Sequence, residues 1–384
     1  MEHGDSSIAI LGIGTAVPAY RLEQAETSAR LMEALKDNAD SARWARRIFK
    51  QCGVETRYTC EPNLLEPASS CRYFPSLSIE SIPSTAERMQ TYKRESVPLG
   101  LEAARKALAD AEVNVSEITH LLTVSCTGQF LPGMDTALVK QLGLSDTVNR
   151  IPLQFLGCAA GLKAVCLSKQ IAAGQPGAKV LVVCVELCTL HIQPSAEREA
   201  LFAASFFGDG ASSCVIGAAD REHKGIFQLG KEHSALLPDS ANDMVWELGD
   251  YGFDLYLSPS IPKQIAGLIP AEARRLLEGE PDPQLWAIHP GGRGIVEALQ
   301  DVFGLTDEQT EPSYSVLRHY GNVSSATILF VLDEMRKGLE TRRSGAADGI
   351  AMAFGPGLTV EMIRIVYVPA VNRQEELLAG KRSV

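Results

Sequence analysis

Three polar side chains stand where apolar runs end and the backbone must turn. An apolar run over residues 151–156 closes in Gly157, and an Ala-rich helical stretch begins at Cys158, in FLGCAAGLKAV. A thiol at a helix N-terminus faces unpaired amides and the positive end of the dipole, which stabilises thiolate and lowers its pKa. The small neighbours Gly157, Ala159, Ala160 and Gly161 let substrate and backbone approach closely. A nucleophilic cysteine also needs a base and a partner that orients it or stabilises an oxyanion, brought together by the fold. His289 ends a strand-like run in LWAIHPGG, where Pro290, Gly291 and Gly292 stop a helix and leave the imidazole at a strand tip. Asn322, in HYGNVSSATILFVLDEMRK, starts an apolar-periodic helix, with a plain N-cap as the alternative reading. For Cys158 the alternative is a buried packing thiol, the preferred reading for the other eight cysteines.

The elements that would position these residues alternate between short β-rich runs and helical stretches, the pattern of α/β layers. Strands are expected over residues 7–14, 121–126 and 180–185, and a helix over 95–111. Residues 62–82, rich in serine with Pro67 and Pro75, read as a long surface excursion, and the polar stretch after Pro369 as peripheral. FGDGASSCVIG, at 207–217, is echoed by FGPGLTVEMIR, at 354–364, and each is a Gly turn leading into a strand. Small-residue helix starts at Gly157 and Gly321 lie upstream of each. The repetition implies two duplicated halves, 1–225 and 226–384, the first carrying the cysteine and the second the histidine and asparagine. GIGTAVP at Gly12 offers only part of a dinucleotide fingerprint. Val17 takes the place of the third glycine, and Pro18 falls where the helix should gain donors. A strand ending in a turn is the better reading.

Composition excludes several classes. The 384 residues carry 36 basic and 47 acidic side chains, a net charge of −11, so nothing in the total favours nucleic acid or an anionic membrane. The apolar runs are strand-sized, short of the ~20 residues of a membrane span. The opening MEHGDSS lacks the basic and apolar regions of a signal peptide. Nine cysteines, odd in number and without C-x-x-C, fit free thiols in a reducing cytoplasm, and the seven histidines supply no zinc-type spacing. No metal is expected.

Taken in order, TGQFLPG, GC at the helix start, FFGDGA, IHPGG, YGNVSSATILFVLDEMRK and FGPGLTVE resemble the type III polyketide synthases, the chalcone synthase-like enzymes, over nearly the whole chain. The resemblance implies a thiolase-like αβαβα five-layered fold of two duplicated halves, a homodimer, and a triad of Cys158, His289 and Asn322. It implies that Phe207 guards the chamber beside the cysteine, and that Leu255 stands where the plant enzymes have a second guarding phenylalanine. Cys126 and Cys188 replace threonines around the chamber, Ser324 joins the pocket, and Leu131 of TGQFLPG reaches toward the partner's cavity. The basic cluster ARWARRIFK matches the CoA-contacting region and makes Arg46, Arg47 and Lys50 the candidates there.

The activity so implied is iterative decarboxylative condensation of malonyl-CoA onto an acyl-CoA starter held on Cys158, with no cofactor, flavin or carrier domain. Leu255 and the two thiols favour an aliphatic starter, medium or long, and an alkylpyrone- or alkylresorcinol-type product; His191, bulky at the deep end, stands against a long chain. The alternatives are an initiating β-ketoacyl synthase, an aromatic-starter enzyme, and an inactive scaffold that keeps the dimer.

Overall fold

The computed structural model describes residues 7–75, 81–219, 225–238 and 240–369. The opening hexapeptide and the tail beyond Pro369 lie outside them. The strands are β1 (Ile8–Ala16), β2 (Tyr20–Glu23), β3 (Thr56–Thr59), β4 (His120–Ser125), β5 (Asn149–Gln154), β6 (Val180–Leu187), β7 (Asp209–Ala218), β8 (Ile226–Leu236), β9 (Met244–Gly249), β10 (Gly252–Leu257), β11 (Leu285–Ile288), β12 (Ala347–Gly355) and β13 (Thr359–Val368). The helices are α1 (Gln24–Ala34), α2 (Ala39–Gln51), α3 (Thr85–Asp110), α4 (Met134–Leu142), α5 (Ala160–Gly174), α6 (Arg198–Phe206), α7 (Ile261–Leu276), α8 (Arg293–Phe303), α9 (Asp307–Tyr320) and α10 (Thr327–Thr341).

Nine strands hydrogen-bond in the order β11-β12-β13-β8-β1-β7-β6-β4-β5. The centre is the β1–β8 pair, joined at Ala9–Gln228 and Ile10–Phe227. Outward from it, β7-β6-β4 on one side answers β13-β12-β11 on the other, so the strand order repeats about the centre. The FGDGA and FGPG turns lead into the corresponding strands β7 and β13. Side-chain alternation divides the core. On β6, Val180, Val182 and Cys184 join the central cluster with α5 and α10, while Leu181, Val183 and Val185 join the cluster under α3. On β12, Ala351 and Ala353 face that same centre, whereas Ile350, Met352 and Phe354 face α7 and α8. Strands buried on both faces read as continuous apolar runs, as β6 does. The layers are therefore outer helices, strands, the central pair α5 and α10, strands, and outer helices.

Helix α3 begins ten residues before its expected start. Ser84 and Glu87 form a capping box whose apolar periodicity is diluted by the polar first turns. The segment after Pro62 is more buried than its composition suggests. Leu64, Cys71, Tyr73 and Phe74 pack with Leu22, Leu31 and Phe49 of the α1–α2 region, because Pro and Ser shape the turns while four apolar residues point inward. Residues 76–80 of this stretch lie outside the described residues.

Gly12 and Gly14 serve packing. A Cβ on Gly12 would meet Ala107 O at 2.7 Å, and one on Gly14 would meet Lys106 Cβ at 2.7 Å, so both glycines let α3 lie against β1. Overpacking such a contact costs about 1–3 kcal/mol, and Gly14→Val should lower the thermal midpoint accordingly. Gly267→Ala, on an exposed turn of α7 with open space around it, should instead raise it slightly, by about 0.5–1 kcal/mol. Calorimetry of the two variants checks both signs.

Candidate active site

The central helices α5 and α10 each begin after a 3-10 turn, at Gly157–Ala159 and Ser324–Ala326. A Cβ on Gly161 would fall on the carbonyl oxygen of Ser325, so the glycine brings the two helix starts into contact. Gly157, at φ +62°, has its would-be Cβ against the ring of Pro356. Cys158 is thereby placed beside Asn322 and Ser324. Its Sγ lies 3.6 Å from Ser324 Oγ and 3.9 Å from Asn322 Nδ2.

Asn322 does two jobs. Its Oδ1 accepts from the Ser324 amide at 2.8 Å and from the Thr327 hydroxyl at 3.4 Å, the local capping expected of it. That leaves Nδ2 to donate to Gly291 O at 3.2 Å and to face the cysteine. α10 itself starts at Thr327. Ser324, at φ +47°, holds an uncommon left-handed conformation for a non-glycine residue. The backbone of Asn322 bridges to Phe207, with the Asn322 amide donating to Phe206 O at 2.8 Å.

His289 follows β11, its amide bonded to Met352 O at 2.9 Å. The imidazole is fully buried, and neither ring nitrogen has a hydrogen-bond partner. Cys158, His289, Asn322, Ser324, Phe207, Leu255 and Cys126 line one cavity of ≈ 30 Å³, together with Met244, Trp246 and Leu257. This is room for one or two waters. Through Met244, Leu257, Gly291 and Ile295 the small cavity adjoins an outer one of ≈ 780 Å³, a ligand-sized space.

The electrostatics depart from the expectation of a depressed thiol. Burial pushes Cys158 up to about 11, against the lowering hydrogen bonds of Ser324 and Asn322. Burial pushes His289 down to about 3. Both groups favour their neutral forms at rest, because each is desolvated and the ring is not hydrogen-bonded to the thiol. Enclosure outweighs the helix end, and Cys158 sits in the turn before α5 rather than on the helix itself.

Two expected pocket residues lie elsewhere. Cys188 packs with Cys52, Val54, Phe206 and Phe207, and His191 is buried behind the cavity wall without lining it. Of the expected cations, Arg47 flanks a pocket with Trp44, Ile48 and Gln51 at the mouth. Arg46 and Lys50 are exposed and lie off that stripe by the helical period. The outer cavity is lined instead by Arg198 and Arg293, the latter bonded to Glu297 at 2.6 Å. Leu131 is 93% exposed.

Sequence reasoning missed Trp246 and Glu186. Trp246 lies on the β9–β10 ribbon, where polar flanks hide the alternation. Glu186 is fully buried at the end of β6. Its carboxylate accepts from the Ser325 hydroxyl, from Thr127 Oγ1 at 2.7 Å and from the Cys126 amide at 3.1 Å, while burial raises its pKa. A lone charge inside VLVVCVEL was the signal.

A thiol, an imidazole and an amide converging at the starts of two central helices of an αβαβα fold define a thiol-dependent acyltransferase. Sequence profiles of the chalcone and stilbene synthases match here, the N-terminal domain over residues 2–220 and the C-terminal domain over 228–369. The chain belongs to this family, the type III polyketide synthases, whose members transfer acyl groups from acyl-CoA and malonyl-CoA. The "Alpha-pyrone synthesis polyketide synthase-like Pks18" of Mycobacterium tuberculosis is 30% identical over 93% of this chain and 90% of its own length. The "Probable polyketide synthase 1" of Dictyostelium discoideum is 30% identical over 92% of the chain, which spans 11% of that protein. Among solved structures, the C-terminal type III polyketide synthase domain of Steely1 from Dictyostelium superposes with a TM-score of 0.86 at 28% identity, covering 94% of this chain and 99% of that domain. PKS-I of the brown alga Ectocarpus siliculosus gives 0.87 at 28% identity, covering 96% of this chain and 100% of the other. Among the described residues no helix is long and apolar enough to cross a membrane.

The raised thiol pKa has a measurable sign. Thiolate is the minor form at neutral pH, so iodoacetamide labelling of Cys158 should keep accelerating from pH 7 to 10, by up to about tenfold per unit. Ser324→Ala, removing a bond that favours thiolate, should slow labelling at pH 8. A rate already level between pH 6 and 8 would instead reveal a preformed ion pair.

Proposed function

We propose that this chain condenses malonyl-CoA iteratively onto an aliphatic acyl-CoA starter held on Cys158, and releases an α-pyrone-class product. The observation that carries the reading is the single cavity shared by Cys158, His289, Asn322 and Ser324, adjoining an outer space large enough for the bulk of a coenzyme A thioester. Cys158 attacks the starter thioester, and the neutral imidazole of His289 takes the thiol proton as the new bond forms and CoA leaves. A malonyl-CoA then enters. Its decarboxylation leaves an enolate, and the proton-bearing nitrogen of a neutral His289 and the Asn322 amide are suitable donors to its oxygen. The enolate attacks the Cys158 thioester, and the lengthened chain returns to the thiol for another round. No metal, flavin or tethered carrier takes part.

The starter is read from the wall. Met244, Leu255 and Leu257 offer apolar surface, and Cys126 offers a thiol that suits a phenolic hydroxyl poorly. The volume does not suit the expected medium or long chain: a space for one or two waters takes a short acyl group, and a longer one requires the wall to move. The pyrone assignment is supported by the printed name of the mycobacterial relative. For the coenzyme, Arg198 and Arg293 join Arg47 as candidates for its phosphates, while the exposed positions of Arg46 and Lys50 give them less support. The exposed Leu131 suits a homodimer in which it is covered by a second copy.

Cys158→Ala should abolish condensation, while Cys166→Ala, in the central core, should keep it and lose about 1 kcal/mol of stability. Asn322→Ala should slow malonyl-CoA decarboxylation by about a hundredfold, the usual cost of one oxyanion donor. Product mass spectrometry over acetyl- to stearoyl-CoA, with p-coumaroyl-CoA alongside, tests the starter; preference for the aromatic thioester would overturn the aliphatic reading. Sedimentation at micromolar concentration should give a dimer, and a monomer would refute that part.

A further inference from the structure

The wall of the inner cavity is not part of the central sheet. β9 and β10 pair only with each other, and their cross-strand pairs Trp246–Leu255 and Met244–Leu257 supply its side chains. A two-stranded ribbon is marginal by itself, so its distance from the cysteine is set by whatever ties it to the body. At the turn, Thr85 bonds Asp250 O and the Gly252 amide at 2.8 and 2.7 Å, and Gln193 reaches Tyr251 O at 3.1 Å. At the open end, the Gly357 amide bonds Met244 O at 3.0 Å.

Between them stands His191, at the end of the turn Cys188–His191 that follows β6. Its Nδ1 accepts from the Phe253 amide at 3.1 Å, and its Nε2 donates to Thr127 O at 2.6 Å. A backbone amide can only donate and a carbonyl only accept, so the two partners fix the tautomer. The ring lies flat on Phe253, with centroids 4.1 Å apart, and meets Trp246 edge-on at 6.0 Å. Thr127 is itself anchored, its hydroxyl donating to Glu186 and accepting from the Leu187 amide at 2.9 Å. The floor at Cys126 is fixed to that same carboxylate. Burial holds His191 near a pKa of about 3, so one nitrogen donates and the other accepts throughout the working range.

We propose that His191 is a positioning residue for starter length, latching the Trp246–Leu255 wall to the Cys126–Thr127 floor and so fixing how much acyl chain fits beside Cys158. This goes with the acyl-CoA reading above, in that the length selected is that of the starter. The latch also explains why a bulky histidine can occupy this position without lining the cavity: it sets the width from behind.

The test separates the latch from the activity. Cys158 of the full-length protein is labelled with N-alkyl iodoacetamides from methyl to dodecyl, and the adducts are assigned by peptide mass. Wild type should favour the short reagents. His191→Phe keeps a ring to stack on Phe253 but loses both hydrogen bonds, and should narrow the short-to-long rate ratio by about tenfold, the worth of roughly two admitted methylenes. The kcat/KM optimum over acyl-CoA length should move in the same direction. His191→Asn, which keeps an acceptor near the Phe253 amide and drops the bond to Thr127, should lie between the two, and it carries the test if His191→Phe does not fold. A ratio unchanged in the folded variants, or labelling slowed equally at every length, would overturn the latch and leave His191 a structural residue. Length-selective labelling by a wild type that does not extend any acyl-CoA would sink the polyketide reading and keep the latch.

Discussion

The site depends on one close approach, the start of α5 against the start of α10. Each central helix is led in by a 3-10 turn, and Gly161 has no Cβ to hold off the Ser325 carbonyl. That contact puts residues far apart in the chain within 4 Å of each other: Cys158 from the first repeated unit, and Asn322 with Ser324 from the second. The sheet follows from the same arrangement. Strands on either side of the central helices must be apolar on both faces, which is why β6 and β12 divide their side chains between two cores. His289 reaches the site because β11 ends level with the helix starts, tied there by Met352.

Enclosure gives the chemistry its character. A thiol pushed up and an imidazole pushed down leave two neutral partners, each held from its charged form by the same lack of water. The surroundings then matter more than the helix dipole. Ser324 and Asn322 are the hydrogen-bond partners that favour thiolate, while Glu186 opposes it. A histidine kept neutral retains an N–H to donate and a lone pair to accept with, which suits a reaction needing both within one turnover.

Much of this was legible in the residues. Cys158, His289 and Asn322 were each marked by an apolar run meeting a turn, and the Gly-turn repeat anticipated the mirrored strand order about β1 and β8. What could not be read was anything set by the environment. The direction of the Cys158 shift depends on burial that no local motif records. The glycines of GIGTAVP pointed away from nucleotide binding, but the facing helix α3 could not be named from them. Residues 62–82 were judged by their prolines and serines, and the apolar side chains that decide their burial were overlooked. Cys188 and His191 were taken for pocket residues by alignment alone, and a shift of one side chain behind a wall is invisible in sequence. Trp246 sits among acidic and glycine residues whose pattern hides the cavity-facing side.

The ribbon's separation from the sheet has a consequence for local stability. Its backbone bonds lie within a two-strand unit outside the nine-strand ladder, and Leu248 near its tip is largely exposed. In foldon terms it belongs to the low-free-energy end of the molecule, able to open while β6, β7, β12 and β13 stay closed. The amides of residues 244–257 should then exchange with solvent through sub-global openings, well before those of the central strands. The reacting centre is therefore roofed by one of the least cooperative parts of the fold and floored by one of the most.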